Sequence, residues 1–304
     1  MVLLKKTWIL LFFFCLCIGS LLAQEVSAFS VLDFDLKGPV KKCVVITKYG
    51  QEQYLFNEKR QLISAATIFS KKDSETAYYK YSKGRLIERR IEIYTDGVLD
   101  KKTSLANFYT YDSIPNLRIK EKIMNYNREF IDQFNYKYDS IGDIFQEIRT
   151  NIQGRYVTDI KRDWNSLKTQ STIRYLLDSV LLKQIDSFFV PKTRSIKKSI
   201  VKEFSDGYLK KETRSFFNKK NLETQNLVID FEQKDSSSIA ILETKIISEY
   251  NPIGNPIKMI IIKGVTSQTK NFLYQLDGSP YKNWIKKITT PDNTYTTRII
   301  TYFK

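Results

Sequence analysis

The sequence contains no histidine among its 304 residues and only three cysteines. The lack of an imidazole excludes Ser-His-Asp and Cys-His catalysis, histidine-ligated zinc and histidine acid–base chemistry. Carboxylate pairs, serine–lysine chemistry and oxygen-ligated cations are the chemistries that remain. The sequence therefore predicts no cofactor and no metal site, and it favours a protein that is not an enzyme.

The sequence also lacks a long apolar run. The apolar run from Trp8 to Ile18 is shorter than the roughly 20 residues that a membrane-spanning helix needs. This run follows Lys5 and Lys6 and is followed by small residues that end at Ala23. The order is typical of a secretory signal peptide over residues 1–23. We therefore expect an exported protein, located in the periplasm, at the cell surface or outside the cell.

Two of the cysteines, Cys15 and Cys17, lie inside this signal and would leave with it. Cys43 would then be the only cysteine of the mature chain, which excludes an intrachain disulfide. We expect Cys43 to be a small buried strand residue. Residues 24–304 show no composition shift or flexible linker, so the sequence predicts one domain, long enough to bury a core without disulfides.

The formal net charge is +16, of which two charges leave with Lys5 and Lys6. A basic exported protein favours anionic partners, either polysaccharides or lipid head groups. Basic doublets such as Lys286-Lys287 do not indicate a nucleic-acid groove, because adjacent strand residues point to opposite faces. Export and the missing motif further disfavour nucleic acid.

Residues 134–144 give the clearest example of a recurring pattern. Phe134, Tyr136 and Tyr138 alternate, and therefore project from one face of a strand. Asp139 then supplies the short side-chain acceptor of a turn, and Gly142 stands where the chain often needs positive φ. The pattern predicts one β-hairpin.

The copies that begin at Tyr54, Tyr79, Tyr109 and Tyr136 are separated by 25, 30 and 27 residues, which is typical of a repeat architecture. Further copies begin at Phe204, Phe217, Tyr250 and Tyr274. The sequence therefore predicts an all-β protein, an antiparallel meander of successive β-hairpins forming one long curved sheet, open or partly closed. Val31 to Leu36 is expected to be a further strand, since apolar and acidic residues alternate there.

The pattern is weakest over residues 151–199. Tyr175 to Leu182 fits a degenerate strand repeat, whereas Leu177, Leu181 and Ile185 have helical spacing. We favour strands, with at most one short helix near residues 173–189.

The paired tyrosines are the candidate binding residues, because aromatic faces suit the apolar faces of sugar rings. They are Tyr79, Tyr81, Tyr109, Tyr111, Tyr136 and Tyr138. Packing between strands is the alternative role of such rings. No catalytic residue is predicted; Asp33 and Asp35 are the nearest to paired carboxylates, and exposed acidic strand residues are far commoner than a catalytic pair.

The segments Tyr109 to Leu117, Tyr136 to Ile144 and Tyr250 to Ile257 resemble the tyrosine–aspartate (YD, or Rhs-type) repeats of bacterial exported proteins. The ending from Asn283-Trp284 resembles the last unit of small secreted YD-like proteins of Gram-negative bacteria. In large family members such repeats build a curved β-shell around a toxic domain. This chain is too short to enclose a domain, so that role is not expected.

The sequence thus predicts an exported β-repeat protein that binds or scaffolds at the cell envelope, towards anionic glycan or lipid surface. One alternative is a histidine-independent, carboxylate-based glycan hydrolase. The second is an outer-membrane β-barrel, which is disfavoured because lysines occupy both alternations of segments such as Val40 to Tyr49.

Overall fold

The computed structural model describes residues 28–114, 116–234 and 237–304. The predicted signal peptide (residues 1–23) and the turn residue Pro115 lie outside the described residues. In the described part of the chain, 21 strands form one antiparallel sheet. The strands are β1 (Val40–Thr47), β2 (Gly50–Phe56), β3 (Leu62–Ile68), β4 (Ser74–Ser82), β5 (Arg85–Thr95), β6 (Val98–Leu99), β7 (Leu105–Asp112), β8 (Arg118–Asn125), β9 (Phe130–Tyr138), β10 (Ile144–Asn151), β11 (Gly154–Trp164), β12 (Gln170–Leu177), β13 (Val180–Phe189), β14 (Ile196–Ser205), β15 (Tyr208–Phe217), β16 (Glu223–Lys234), β17 (Ser237–Tyr250), β18 (Pro256–Lys263), β19 (Thr266–Leu276), β20 (Trp284–Thr290) and β21 (Thr294–Tyr302).

The sheet closes on itself, because the first strand pairs with the last. Cys43 of β1 lies opposite Tyr54 of β2 on one side and opposite Ile300 of β21 on the other. β6 pairs only with β5, while β5 continues to β7, so 20 strands surround the lumen. The prediction of an all-β meander is confirmed; the open or partly closed sheet is wrong, since closure pairs the backbone groups of both edges.

Residues 170–189 are strands, as favoured from the sequence, and the alternative short helix is absent. β12 and β13 pair through a tight turn in which Asp178 and Ser179 both have positive φ, 47° and 72°. This conformation matches the twist of a two-residue hairpin. Leu177, Leu181 and Ile185, which have helical spacing in the sequence, therefore lie on paired strands.

The strand predicted at Val31 to Leu36 is wrong. Val31–Phe34 is a 3₁₀ helix that begins at a capping box, in which the Ser30 side chain accepts a hydrogen bond from Leu32 and Asp33 accepts one from the Ser30 backbone. Asp35 ends the helix in the left-handed conformation, with φ 52°. Local capping bonds have replaced the sheet ladder that apolar–acidic alternation suggested.

Several of the hairpin turns share a five-residue geometry that the sequence pattern only partly reveals. In the turn 139–143, the Asp139 carboxylate accepts hydrogen bonds from the backbone N–H groups of Ile141 and Asp143, and Gly142 has φ 88°. Arg60 occupies the position equivalent to Gly142 and still has φ 63°. The predicted turn chemistry is confirmed, and the left-handed conformation persists where glycine does not.

Successive turns of the meander lie alternately at the two ends of the barrel. One end, which we call the N-terminal rim, carries the turns 57–61, 83–84, 113–117, 139–143, 165–169, 190–195, 218–222, 251–255 and 277–283. Residues 28–39, the N-terminal segment, lie against this rim: Ser30 bridges to Gln61, and Lys37 bonds to Asn283. The segment thus reaches from the β2–β3 turn to the β19–β20 turn.

The buried core follows the lumen face of β1 to β13. It includes Cys43, Tyr79, Ile119, Ile173 and Ile185, which are at most 8% exposed. Along β15 to β20 most lumen-facing residues are only half-buried, among them Thr213, Val228, Thr244, Ile261 and Tyr274. A barrel of this strand number has a wide interior. The more accessible lumen wall is therefore the one formed by β15 to β20. No helix of the described residues is long and apolar enough to span a membrane.

Candidate functional site: a basic and aromatic patch on the lumen wall

The structure places the six predicted binding tyrosines in two kinds of environment. Tyr79, Tyr109, Tyr136 and Tyr138 are buried, whereas Tyr81 and Tyr111 are half-buried against the core. The hydroxyl groups of the two half-buried residues donate hydrogen bonds to the carbonyl oxygens of Leu62 and Leu86, each at 2.7 Å. In both cases the second tyrosine of a Tyr-x-Tyr pair ties its strand to the preceding one.

Tyr109 and Tyr136 converge on the carboxylate of Glu121. Their hydroxyl groups each donate to it at 2.8 Å, and the Asn107 side-chain amide donates at 2.6 Å. Tyr136 also stacks on Phe134, with ring centroids 6.0 Å apart. Burial is the main cause that raises the pKa of both tyrosines, followed by the Glu121 charge. These contacts are structural; the sugar-binding role of the tyrosine pairs stays a prediction.

Glu147 lies next to this cluster, since it pairs across the strands with Tyr136. Burial raises the pKa of Glu147, and the nearby Glu121 charge raises it further. Nothing in the sequence singles out either glutamate, because each stands in an ordinary strand alternation. Asp33 and Asp35, the nearest to paired carboxylates in the sequence, instead cap and end the 3₁₀ helix.

A surface cleft of 570 Å³ at the N-terminal rim borders two of the predicted tyrosines. Tyr109 and Tyr111 line it together with Lys83, Arg85 and other residues of neighbouring strands. The Arg85 guanidinium lies over the Tyr111 ring, 5.1 Å from its centroid. The cleft therefore combines a cation with an aromatic face.

A stronger combination of charge and aromatic rings occurs on the lumen face of β19 to β21. We call it the basic–aromatic patch; it consists of Phe272, Tyr274, Trp284, Lys287 and Arg298. Tyr274 lies directly opposite Lys287 across the β19–β20 pair, and the Tyr274 and Trp284 rings are 6.0 Å apart. The patch lies near the N-terminal rim, beneath the N-terminal segment.

Arg298 is the fixed member of this patch. Its guanidinium lies 3.6 Å from the centroid of the Trp284 ring and donates to the carbonyl oxygen of Phe34 at 3.1 Å. Its Nε atom has no hydrogen-bond partner among the described residues. Burial lowers the pKa of Arg298. Arg298 thus joins the lumen wall to the N-terminal segment, and its Nε–H group can donate one further hydrogen bond.

Lys287 is the less constrained cation. Its Nζ atom lies 5.4 Å from the Trp284 ring centroid and 5.9 Å from that of Phe272. Burial lowers the pKa of Lys287, and the Arg298 charge lowers it further, while Asp35 acts in the opposite direction. Among the residues that the structure describes, neither Lys287 nor Arg298 forms a salt bridge.

The doublet Lys286-Lys287 shows the opposite-face geometry expected from the sequence. Lys287 approaches Trp284 in the lumen, whereas Lys286 lies over the ring of Tyr295, 5.4 Å from its centroid, on the outward face. Sequence reasoning nevertheless missed the patch, because it treated all doublets alike. Strict alternation would also place Trp284 and Lys287 on opposite faces; the register shift that pairs Leu276 with Trp284 brings the tryptophan ring onto the lumen face.

The Cys43 thiol and possible groups of metal ligands are the remaining features of chemical interest. Cys43 is buried as predicted, and burial raises its pKa to about 11, so its thiol stays protonated at neutral pH. In the described part of the chain, no three Cys, Asp or Glu side chains are grouped so that they could hold a metal ion.

Comparisons with known proteins show limited similarity. No protein-family model matches the sequence, and no curated protein matches it. A crystal structure of TcdB2-TccC3-Cdc42 aligns with a TM-score of 0.34 and 8% identity over 77% of this chain and 15% of that chain. A structure of TcdB2-TccC3 without its hypervariable C-terminal region gives 0.26 and 8% over the same shares. A porin-like protein from Bacteroides uniformis gives 0.30 and 9%, covering 87% of this chain and 98% of that chain. The chain spans 15% of the TcdB2-TccC3 chains, and these scores assign neither a family nor a function.

Proposed function

We propose that this chain is an exported, non-enzymatic β-barrel that binds an anionic glycan at the cell envelope through the lumen wall of β19 to β21. One observation carries the proposal: Lys287 and Arg298 are lumen-facing, partly buried cations that form no direct salt bridge with a carboxylate among the described residues. Removing a cation from water without a partner is costly. A bound carboxylate or sulfate group would supply that partner.

The aromatic members of the patch favour a sugar as the carrier of that anion. Trp284 is covered by Arg298, but Phe272 and Tyr274 are half-buried and line the accessible wall beside Lys287. Aromatic rings of this kind pack against the apolar faces of sugar rings, while the ammonium group pairs with an acidic substituent. Acidic sugars match both features at once.

The outward face of the barrel supports a water-exposed exterior over the membrane-barrel alternative. Glu88 forms ion pairs with Lys80 and Arg90 at 2.9 and 2.8 Å, and Glu212 pairs with Lys202 and Arg214. These strand residues alternate with the lumen-facing ones. If this part of the outward face lay against lipid, it would be apolar, since charged side chains in a lipid-facing band are strongly destabilising.

The hydrolase alternative has less support. Glu121 is saturated by three donors and is 8% exposed, so a substrate cannot reach it without displacing the tyrosines. Two carboxylates act on the basic–aromatic patch by their charge: Asp35 on Lys287 and Arg298, and Glu52, which accepts a hydrogen bond from the Tyr54 hydroxyl, on Arg298 alone. We therefore assign binding, not bond cleavage, to the lumen.

Isothermal titration of the purified mature chain with polygalacturonate tests this function, with neutral dextran as the control polymer. We expect binding of the acidic polymer that weakens as salt rises, because each ion pair is screened. Equal binding of both polymers, or no binding of the acidic one, would contradict the proposal. N-terminal sequencing of the secreted protein tests export, with a start near residue 24 expected.

A further inference from the structure

The N-terminal rim carries a row of exposed aliphatic side chains that the lumen site does not use. Ile114, Ile141 and Leu167 are 81%, 81% and 79% exposed. They belong to three consecutive hairpins, β7–β8, β9–β10 and β11–β12. Each follows an Asx-Ser pair, namely Asp112-Ser113, Asp139-Ser140 and Asn165-Ser166.

The turn geometry fixes the direction of these side chains. The carboxylate of Asp112 accepts a hydrogen bond from the backbone N–H of Ile114, and that of Asp139 accepts one from Ile141. In the third turn, Asn165 accepts from Thr169 and so closes the loop around Leu167. The aliphatic residue therefore stands at the tip of each hairpin.

The spacing of the tips makes them one surface. Neighbouring hairpins are two strands apart, and strands are separated by about 4.8 Å, so adjacent tips lie about 10 Å apart along the rim. Exposed aliphatic side chains arranged in a row are characteristic of an interaction surface, whereas single exposed ones need no explanation.

The charge of the same rim indicates what the row contacts. The described turn residues at the N-terminal rim include nine cations and four acids: Lys59, Arg60, Lys83, Lys168, Lys192, Arg194, Lys219, Lys220 and Lys282 against Glu58, Asp139, Asp143 and Asp277. At the opposite rim, the described turn residues include six cations and seven acids: Lys48, Lys71, Lys72, Lys101, Lys102 and Arg128 against Asp73, Asp96, Asp100, Glu129, Asp178, Asp206 and Asp292. The basic excess therefore lies on the rim that carries the aliphatic row, in the turns on either side of the row; the three turns of the row itself hold Asp139, Asp143 and Lys168.

We propose that the N-terminal rim docks onto an anionic lipid bilayer, with Ile114, Ile141 and Leu167 inserted between head groups and the rim cations paired with lipid phosphates. Cations at the head-group level and aliphatic side chains just below it are the combination by which proteins bind a membrane surface without crossing it. The barrel axis would then stand on the membrane, and the opposite rim would face away from it. This surface is separate from the basic–aromatic patch.

Vesicle co-sedimentation of the mature chain tests the docking surface. The probes are phosphatidylcholine vesicles with and without half phosphatidylglycerol. We expect binding only to the anionic vesicles, and the triple variant Ile114→Ser, Ile141→Ser, Leu167→Ser should lower the vesicle affinity about tenfold. The matched control replaces residues of the opposite rim that are similarly exposed, Val98→Ser, Ile152→Ser and Val265→Ser. It should bind as the unmodified protein does.

Light scattering after size exclusion separates a lipid partner from a second copy of the chain. A rim variant that turns a dimer into a monomer would identify a second copy as the occupant and overturn the proposal. Equal loss of vesicle binding in both triple variants, unchanged binding in the rim variant, or absence of binding by the unmodified protein would overturn it as well. All replaced residues are exposed, so thermal unfolding should be the same for the variants and the parent.

Discussion

Asn283 and Lys37 are joined by a reciprocal pair of hydrogen bonds, although 246 residues separate them. The Asn283 side chain accepts from the Lys37 backbone N–H at 2.9 Å and donates to the Lys37 carbonyl oxygen at 2.8 Å. The same amide donates to the Tyr302 hydroxyl at 2.8 Å. This buried asparagine thus links the N-terminal segment, the β19–β20 turn and the last strand.

Replacing Asn283 by alanine should therefore release the N-terminal segment from the rim. The variant leaves the partly buried backbone N–H and carbonyl groups of Lys37 without their side-chain partner, which we expect to cost about 1 kcal/mol of unfolding free energy. Hydrogen exchange should become faster at residues 36–38 than in the parent. Denaturant unfolding and exchange measured by mass spectrometry check both effects.

Asn127→Ala is the control for this prediction. Asn127 is exposed, and among the described residues it is bonded through its backbone N–H to the Asn125 side chain. Its truncation should leave both stability and exchange unchanged. If Asn283→Ala were as stable as Asn127→Ala, the N-terminal segment would not depend on this link.

The left-handed position of the five-residue turns predicts opposite effects at two equivalent sites. Arg60→Gly should stabilise the protein, because glycine adopts φ 63° without the steric cost that arginine carries. Gly142→Ala should destabilise it by about 1 kcal/mol through its φ of 88° alone, since no atom lies within 4 Å of the added Cβ. Thermal unfolding of both variants checks the signs; equal shifts would contradict the turn geometry.

The turns also show how far the sequence could predict this fold. Asp139 and Gly142 identify their turn by residue type, because a short acceptor and a flexible backbone are each chemically distinctive. Arg60 adopts the same left-handed conformation, but an arginine does not indicate it in the sequence. The hydrogen bonds of the surrounding turn hold Arg60 in a conformation that this residue type does not prefer. At Ser30 and Asp33 two local bonds changed a predicted strand into a 3₁₀ helix, which alternation of apolar and acidic residues could not reveal.

Glu147 predicts a dependence of stability on pH. Its pKa is raised in the folded protein by burial and by Glu121, so folding favours the protonated form. The contribution of Glu147 to stability is fully present below the unfolded pKa and is lost as the pH rises through the folded one. Glu147→Gln should therefore raise the melting temperature at pH 7.5, and this gain should shrink towards pH 4.

Glu121→Gln distinguishes this effect from any general benefit of removing a buried charge. The Glu121 carboxylate accepts from Tyr109, Tyr136 and Asn107, and an amide offers only one acceptor oxygen. We expect a loss of about 1–3 kcal/mol at neutral pH. Stabilisation by both substitutions would contradict the assignment of the two glutamates to different roles.

Closure of the barrel and assembly of the basic–aromatic patch were harder to foresee than the strands. The pairing of Cys43 with Ile300 joins residues at the two ends of the chain, and nothing local encodes it. The β20–β21 register brings Lys287 and Arg298 onto neighbouring strands, and the register shift at the start of β20 adds Trp284 to them. Alternation indicates the face of most strand residues, whereas bulges, register and closure decide which of them become neighbours.

The central claim is that the lumen-facing cation Lys287 binds an acidic glycan. Because Lys286 is adjacent in sequence but points outward, Lys286→Gln and Lys287→Gln have the same net charge and differ in the face that loses it. Titration of polygalacturonate at low salt, followed by calorimetry, should show an affinity about tenfold lower for Lys287→Gln and nearly unchanged for Lys286→Gln. Equal affinities of the two variants would contradict binding in the lumen.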